Sequence, residues 1–182
     1  MDLTKIRNEL SVKGKNGIGF LLSAVVIWSI ITIIFLLPLG IYQKNIYMLF
    51  TTGLMFPLSV GMSTLVRADW RLQGNQLGDL GLFLNLAQVI YFPILFWGIA
   101  RSPTEAIMFF AIITGAHFFP YGWFYNAKPF YVMAPIISLA IMFLGFYLNG
   151  ESLWLIPLSM IILLLVLIVW LISDYRRKAE EM

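Results

Sequence analysis

Five side chains could do chemistry in otherwise apolar surroundings: Asn85, Gln88, Thr114, His117 and Tyr121. His117 is the only histidine among 182 residues, and there is no cysteine. An imidazole can titrate near neutral pH, ligate a metal or pass a proton. Each of those roles needs partners. A metal centre takes several His, Cys or carboxylate ligands, and the missing cysteines also exclude disulfides and a thiol nucleophile. Proton relays inside membranes use buried acids as well as histidines. No Asp, Glu, Lys or Arg lies deep in any of the long apolar stretches. No acid/base pair, metal set or Ser/His/Asp arrangement stands out, so the expectation is no enzyme and no cofactor. The glycines of "RADWRLQGNQLGDLG" (Arg67–Gly81) follow no strand and form neither a dinucleotide-binding nor a phosphate-binding loop. What remains is hydrogen bonding in an apolar medium, directed at a small solute or at neighbouring helices.

The elements that must position these residues follow from composition. The chain is 60% hydrophobic and 12% charged, with mean hydropathy +0.88. A soluble domain carries about 25% charged residues. Crossing a bilayer core of about 30 Å takes roughly 20 apolar residues at 1.5 Å each. Six stretches meet this length: Gly17–Leu39, Ile46–Val66, Leu80–Ala100, Pro103–Phe124, Phe130–Leu148 and Leu153–Ile172. The predicted fold is all-α, a polytopic transmembrane bundle of about six spans. Residues 1–16 form a short amphipathic, basic segment before it, and residues 173–182 a charged tail. The first apolar run is too long for a signal peptide and no cleavage motif follows, so it reads as a retained span. Three plus three spans would permit an inverted repeat, but the halves show no self-similarity.

Charge sets the expected orientation. All but Lys44 and Arg101 of the 12 Lys and Arg residues fall in the N-terminal segment, the loops after the second and fourth spans, or the tail. Positive residues stay inside, so both termini are predicted cytoplasmic, in the cell membrane. These cations serve topology and are no nucleic-acid footprint. In "DLTKIRNEL", Leu3, Ile6 and Leu10 share one helical face, which fits either an interfacial helix on the inner leaflet or a frayed tail. "SPTE" at Ser102–Glu105 predicts the start of the fourth span, with Ser102 as N-cap and Pro103 in the first turn. Asp79 is the expected N-cap of the third, and Arg67, Asp69 and Arg71 can pair with one another or meet lipid phosphates.

In this frame the five polar residues converge in depth. Asn85 and Gln88 lie roughly 8 and 12 Å inside the cytoplasmic end of the third span, and His117 about 10 Å inside that of the fourth. Thr114, His117 and Tyr121 share one helical face. The two spans are joined by a short loop and should be antiparallel neighbours. Ser23, Ser59 and Ser138 sit at similar depth. Two readings stand: interhelical hydrogen bonds, or a small polar cavity open to the cytoplasm. Pro120 removes the hydrogen bond to the Ala116 carbonyl beside His117, and Pro57 and Pro93 do the same to Gly53 and Val89, so kinks are predicted in three spans.

"GAHFFPYGWFYNAKPFY" (Gly115–Tyr131) surrounds His117 with aromatics. They read as an interfacial belt or as an aromatic mouth for an amphipathic or cationic ligand. On His117, Phe118, Pro120, Tyr125 and Tyr131 the chain resembles a group of small uncharacterised bacterial integral-membrane proteins that carry a His-Phe-x-Pro stretch followed by aromatics near the end of a central span. That resemblance implies a bacterial six-span protein and supplies no substrate. The expected partners are the lipid bilayer, a small solute, and a membrane-protein partner or a second copy of the chain. The functional expectation is small-solute transport or binding through the cytoplasm-side cluster; the alternative is an accessory protein packed against a larger partner. The nearly unbroken apolar run Ile161–Ile172 suits lipid or a partner helix equally.

Overall fold

Apolar runs of this length become helices because a helix satisfies every backbone N–H and C=O within its own segment. The computed structural model describes residues 2–72 and 74–181. They form ten α-helices: α1 (Leu3–Lys13), α2 (Ile18–Leu36), α3 (Ile41–Thr52), α4 (Met55–Leu65), α5 (Gly78–Ile90), α6 (Phe92–Arg101), α7 (Ala106–His117), α8 (Phe119–Phe124), α9 (Lys128–Tyr147) and α10 (Leu155–Glu181). No strand occurs among the described residues. Five helical segments are long and apolar enough to cross a membrane: Lys15–Leu36, α5 with α6, α7 with α8, α9, and Gly150–Glu181. The bent pair α3 and α4 makes up to six.

The three prolines expected to kink their spans each sit just past a helix break. Pro57, Pro93 and Pro120 stand in the first turns of α4, α6 and α8. A first-turn N–H has no intrahelical partner, so a residue without one restarts a helix at little cost. Only the α3–α4 break turns the chain sharply, by 48°. Pro135 is tolerated inside α9.

Small residues let the helices approach closely, which is how bundles gain contact where lipid offers no hydrophobic drive. On α2, Gly19 and Ser23 are four apart; on α4, so are Ser59 and Ser63. A Cβ on Gly19 would lie 2.7 Å from Ser63 Cα and 2.8 Å from its backbone nitrogen. The α7–α9 seam repeats the device: a Cβ on Gly115 would lie 2.7 Å from Ile137 Cγ2, and one on Gly145 2.6 Å from Met108 Cγ. The helix α2 packs on α4 and α10, and α9 packs on α7 and α10, so α10 closes one side of the bundle. Ser23, Ser59 and Ser138 lie in these seams rather than in a common polar layer. Ser23 Oγ donates to Gly19 O, and Ser138 Oγ to Ala134 O and Ile112 O.

Several local expectations are corrected. The fourth span does not start at "SPTE": α6 runs on to Arg101, so residues 102–105 make the reverse turn and α7 begins at Ala106, with no side-chain cap on Glu105. The turn is anchored from outside, because Asn45 Nδ2 donates to Pro103 O at 2.8 Å. Asp79 is a first-turn residue of α5, not its N-cap; Leu77 holds the cap position, and its N–H donates to Asn75 Oδ1. Asp69 takes the backbone N–H groups of Arg71 and Leu72 instead of pairing with an arginine. The N-terminal segment is not frayed. It is the helix α1, capped by Asp2 through the Thr4 N–H, and it packs on the last turns of α10 with Leu10 fully buried.

A polar clasp fastens that end of the bundle. Lys15, Asn16 and Gly17 all adopt left-handed φ, of 47°, 52° and 72°. Left-handed backbone costs a non-glycine residue roughly 1–2 kcal/mol, and the Asn16 side chain offsets it. Its Nδ2 donates to Leu171 O and to Asp174 Oδ2, while its Oδ1 accepts from Ser11 Oγ. The Lys178 ammonium lies 2.6 Å from Asp174 Oδ2 and also faces Ser11 Oγ and the carbonyls of Tyr125 and Asn126. Asp174 and Lys178 are both buried, although they sit in the expected charged tail; α10 carries them there without a break.

Candidate functional site

Because α4 leans on α2 while α5 leans on α7 and α8, the bundle is left open between the two groups. The opening is a cavity of about 660 Å³, within the range of roughly 300–1,000 Å³ that takes a small organic ligand. It runs inward from the end that holds both termini. Asn16, Arg71, Asp79 and Tyr125 ring that end, and Trp28, Phe92 and Phe110 lie at the inner end. All five residues singled out by spacing line it: Asn85 and Gln88 from α5, Thr114 and His117 from α7, and Tyr121 from α8.

These five do not form one hydrogen-bonded layer. The only bond among them from one span to another is a long one, from Gln88 Nε2 to Thr114 Oγ1 at 3.5 Å, and Thr114 itself donates to Phe110 O. Asn85 Nδ2 turns back to Gly81 O on its own helix. His117 Nε2 meets the Tyr121 hydroxyl at 3.4 Å, one turn along, with the two rings edge-on. Bonding between helices is therefore slight, and most of the polar capacity of this wall borders open space. Thr114→Val should shift detergent-phase stability by less than about 1 kcal/mol, since so long a bond contributes little. Thermal unfolding followed by circular dichroism measures this; a loss of several kcal/mol would restore the interhelical reading.

The aromatics after His117 mostly turn inward, contrary to a belt. Phe118, Tyr121, Phe124, Tyr125 and Phe130 are buried, while Phe119 and Trp123 face out. Tyr121, Tyr125 and Phe130 form a triangle of rings, with centroids 6.1, 6.2 and 5.9 Å apart. Burial pushes the Tyr125 phenol above its ordinary range, so it remains a neutral hydroxyl. Aromatic packing of this kind adds about 0.5–1.5 kcal/mol per pair beyond burial and stiffens the wall beside His117.

Sequence spacing missed the mouth. Arg71 stacks over Trp70 at 4.9 Å, Trp70 meets Phe56 edge-on, and both loop residues line the cavity. Asp79 reaches the same rim from the first turn of α5. The hydrophilic loop carries no periodicity that would aim it at an apolar space. Among the described residues no group of three metal-ligating side chains occurs.

A family model with the description "Family of unknown function (DUF7010)" matches residues 3–174. No curated protein and no solved structure matches the chain.

Proposed function

Taking as premise that the chain belongs to the family of unknown function DUF7010, we propose that it is a multi-pass membrane protein that binds a small molecule in its α2–α5–α7 cavity. The carrying observation is that hydrogen-bonding groups from three helices, Asn85, Gln88, Thr114, His117 and Tyr121, line one cavity of about 660 Å³ with few bonds among themselves. Convergent polar groups on an apolar wall orient a ligand. On this reading both termini face the cytoplasm, following the distribution of Lys and Arg, and the membrane is the inner membrane of a bacterium. The cavity then opens inward, and His117 and Tyr121 are solute-contacting rather than catalytic.

Native mass spectrometry of the protein released from mild detergent tests the reading. The wild type should carry a bound small molecule. Ala24→Phe and Thr114→Phe, which fill the cavity from opposite walls, should lose it, and His117→Ala should weaken it. The same adducts on the wild type and both filled variants would refute the proposal.

The other reading, an accessory protein, is favoured by α5 and α6. Only 11% of their apolar window is buried inside the bundle, so a partner helix has room to seat there. Co-purification of a stoichiometric membrane partner, lost on Phe83→Ser, would support it.

A further inference from the structure

The cavity is open sideways as well as at its end. Leu82, Leu86 and Val89 follow one face of α5 and line the cavity, yet they are 57%, 52% and 55% exposed. Phe56 at the start of α4 lines the facing edge and is 60% exposed. Apolar side chains that line a cavity and are still half uncovered mark a seam between α4 and α5, and in a bilayer such a seam faces acyl chains.

Depth and charge narrow the occupant. From Gly17 to Trp28 the cavity follows α2 for about 16 Å at 1.5 Å per residue, which is half of a bilayer core of about 30 Å. That is the reach of one leaflet. The inner part is apolar and aromatic apart from Thr52, Gln88 and Thr114, whose hydroxyl is already donated to Phe110 O. The rim carries one cation, Arg71, and one anion, Asp79, both exposed. Among the described residues neither makes an ion pair with the other or with any other side chain. An arginine fork suits a phosphate. A carboxylate at the same rim disfavours a purely anionic head group and suits an ammonium.

We infer that the cavity holds one acyl chain of an amine-bearing, zwitterionic glycerophospholipid, which slides in from the bilayer between α4 and α5 with its phosphate on Arg71 and its amine on Asp79. The inference rests on the ligand-binding reading above and gives that ligand its class. The second chain of the lipid stays in the bilayer through the open seam, so a cavity sized for one chain suffices.

The test uses the full chain in mild detergent and lysophospholipids with a brominated acyl chain, titrated as mole fraction of the micelle. Bromine quenches Trp28 from within the cavity, and Trp28→Phe identifies that component of the signal. Lysophosphatidylethanolamine should quench saturably, at a mole fraction roughly tenfold below that for lysophosphatidylglycerol, as expected for one charge-assisted contact. Arg71→Gln should weaken both lipids by a similar factor and Arg71→Lys by less, while Asp79→Asn should abolish the preference between them. Equal binding of both lipids and of a brominated monoacylglycerol, unchanged by Arg71→Gln and Asp79→Asn but lost in Ala24→Phe, overturns the head-group assignment and leaves the cavity reading standing. Quenching that never saturates, and is the same in wild type and Ala24→Phe, overturns both. Size-exclusion profiles matching the wild type qualify each variant, and Arg71→Lys, which keeps the charge, covers the case in which Arg71→Gln does not fold.

Discussion

Asp174→Ala is expected to cost about 3–5 kcal/mol, because it strands the buried Lys178 ammonium. Lys178 and Asp174 side chains are only 7% and 6% exposed, with 2.6 Å between nitrogen and oxygen. The substitution also removes an acceptor from Asn16, whose side chain supports a left-handed turn. Lys178→Met removes the cation as well, so the pair Asp174→Leu with Lys178→Met should recover most of the loss; apolar replacement of a buried ion pair is often neutral or favourable. Chemical unfolding in detergent, arranged as a double-mutant cycle, measures the coupling. A cost below 1 kcal/mol for Asp174→Ala would mean that water reaches the clasp. By contrast, Lys13 and Glu9 form an exposed pair one turn apart on α1, and Glu9→Gln should leave the unfolding midpoint essentially unchanged.

The second large effect lies in the α2–α4 seam. Besides the Ser63 hydroxyl, the atoms facing Gly19 are backbone atoms of Ser63, which cannot rotate away as a side chain would. Gly19→Ala must push the helices apart, and Gly19→Leu further. Overpacking of this kind costs about 1–3 kcal/mol or more. Gly61 supplies the control on the outer face of α4, where a Cβ would meet nothing within 4 Å. There the same change should stabilise by up to about 1 kcal/mol through helix propensity. Opposite signs for Gly19→Ala and Gly61→Ala in thermal unfolding are the expected result; a neutral Gly19→Ala would show that the seam yields. Since α4 borders the cavity at Met55 and Phe56, Gly19→Leu should also change ligand retention.

The apolar helices were legible because their signal is cumulative: about 20 apolar residues outvote any single misplaced one. Proline positions were legible too, since a missing N–H acts locally. The breaks fall a few residues before Pro57, Pro93 and Pro120, as that chemistry requires. "SPTE" misled because a cap motif competes with its neighbours: Ser102 is used as the C-cap of α6, its N–H donating to Gly98 O, and residues 102–105 are spent on the reverse turn. The depth argument for Asn85, Gln88, Thr114, His117 and Tyr121 brought all five to one cavity, but it could not foresee that Asn85 would bond its own helix. The Gly19/Ser23 and Ser59/Ser63 spacings were visible, yet nothing in one helix names its partner. Asp174 and Lys178 were the hardest. Charged residues near a chain end look solvated, and it takes α1, the Lys15–Gly17 turn and the Tyr125–Asn126 loop together to remove them from water.

That clasp also sets an order on the making of the protein. Asn16 and Asp174 are separated by 158 residues. At about 5–20 residues per second, the ribosome needs on the order of 8–30 s to travel from one to the other. Throughout that interval the left-handed turn has no side-chain support from α10, and α1 has no α10 to dock on. The first helix made is the last to be fastened. A nascent chain stopped short of Asp174 therefore carries every earlier span yet leaves one end of its bundle unlatched, with Leu10 uncovered. The cell has a feature there by which finished copies differ from unfinished ones.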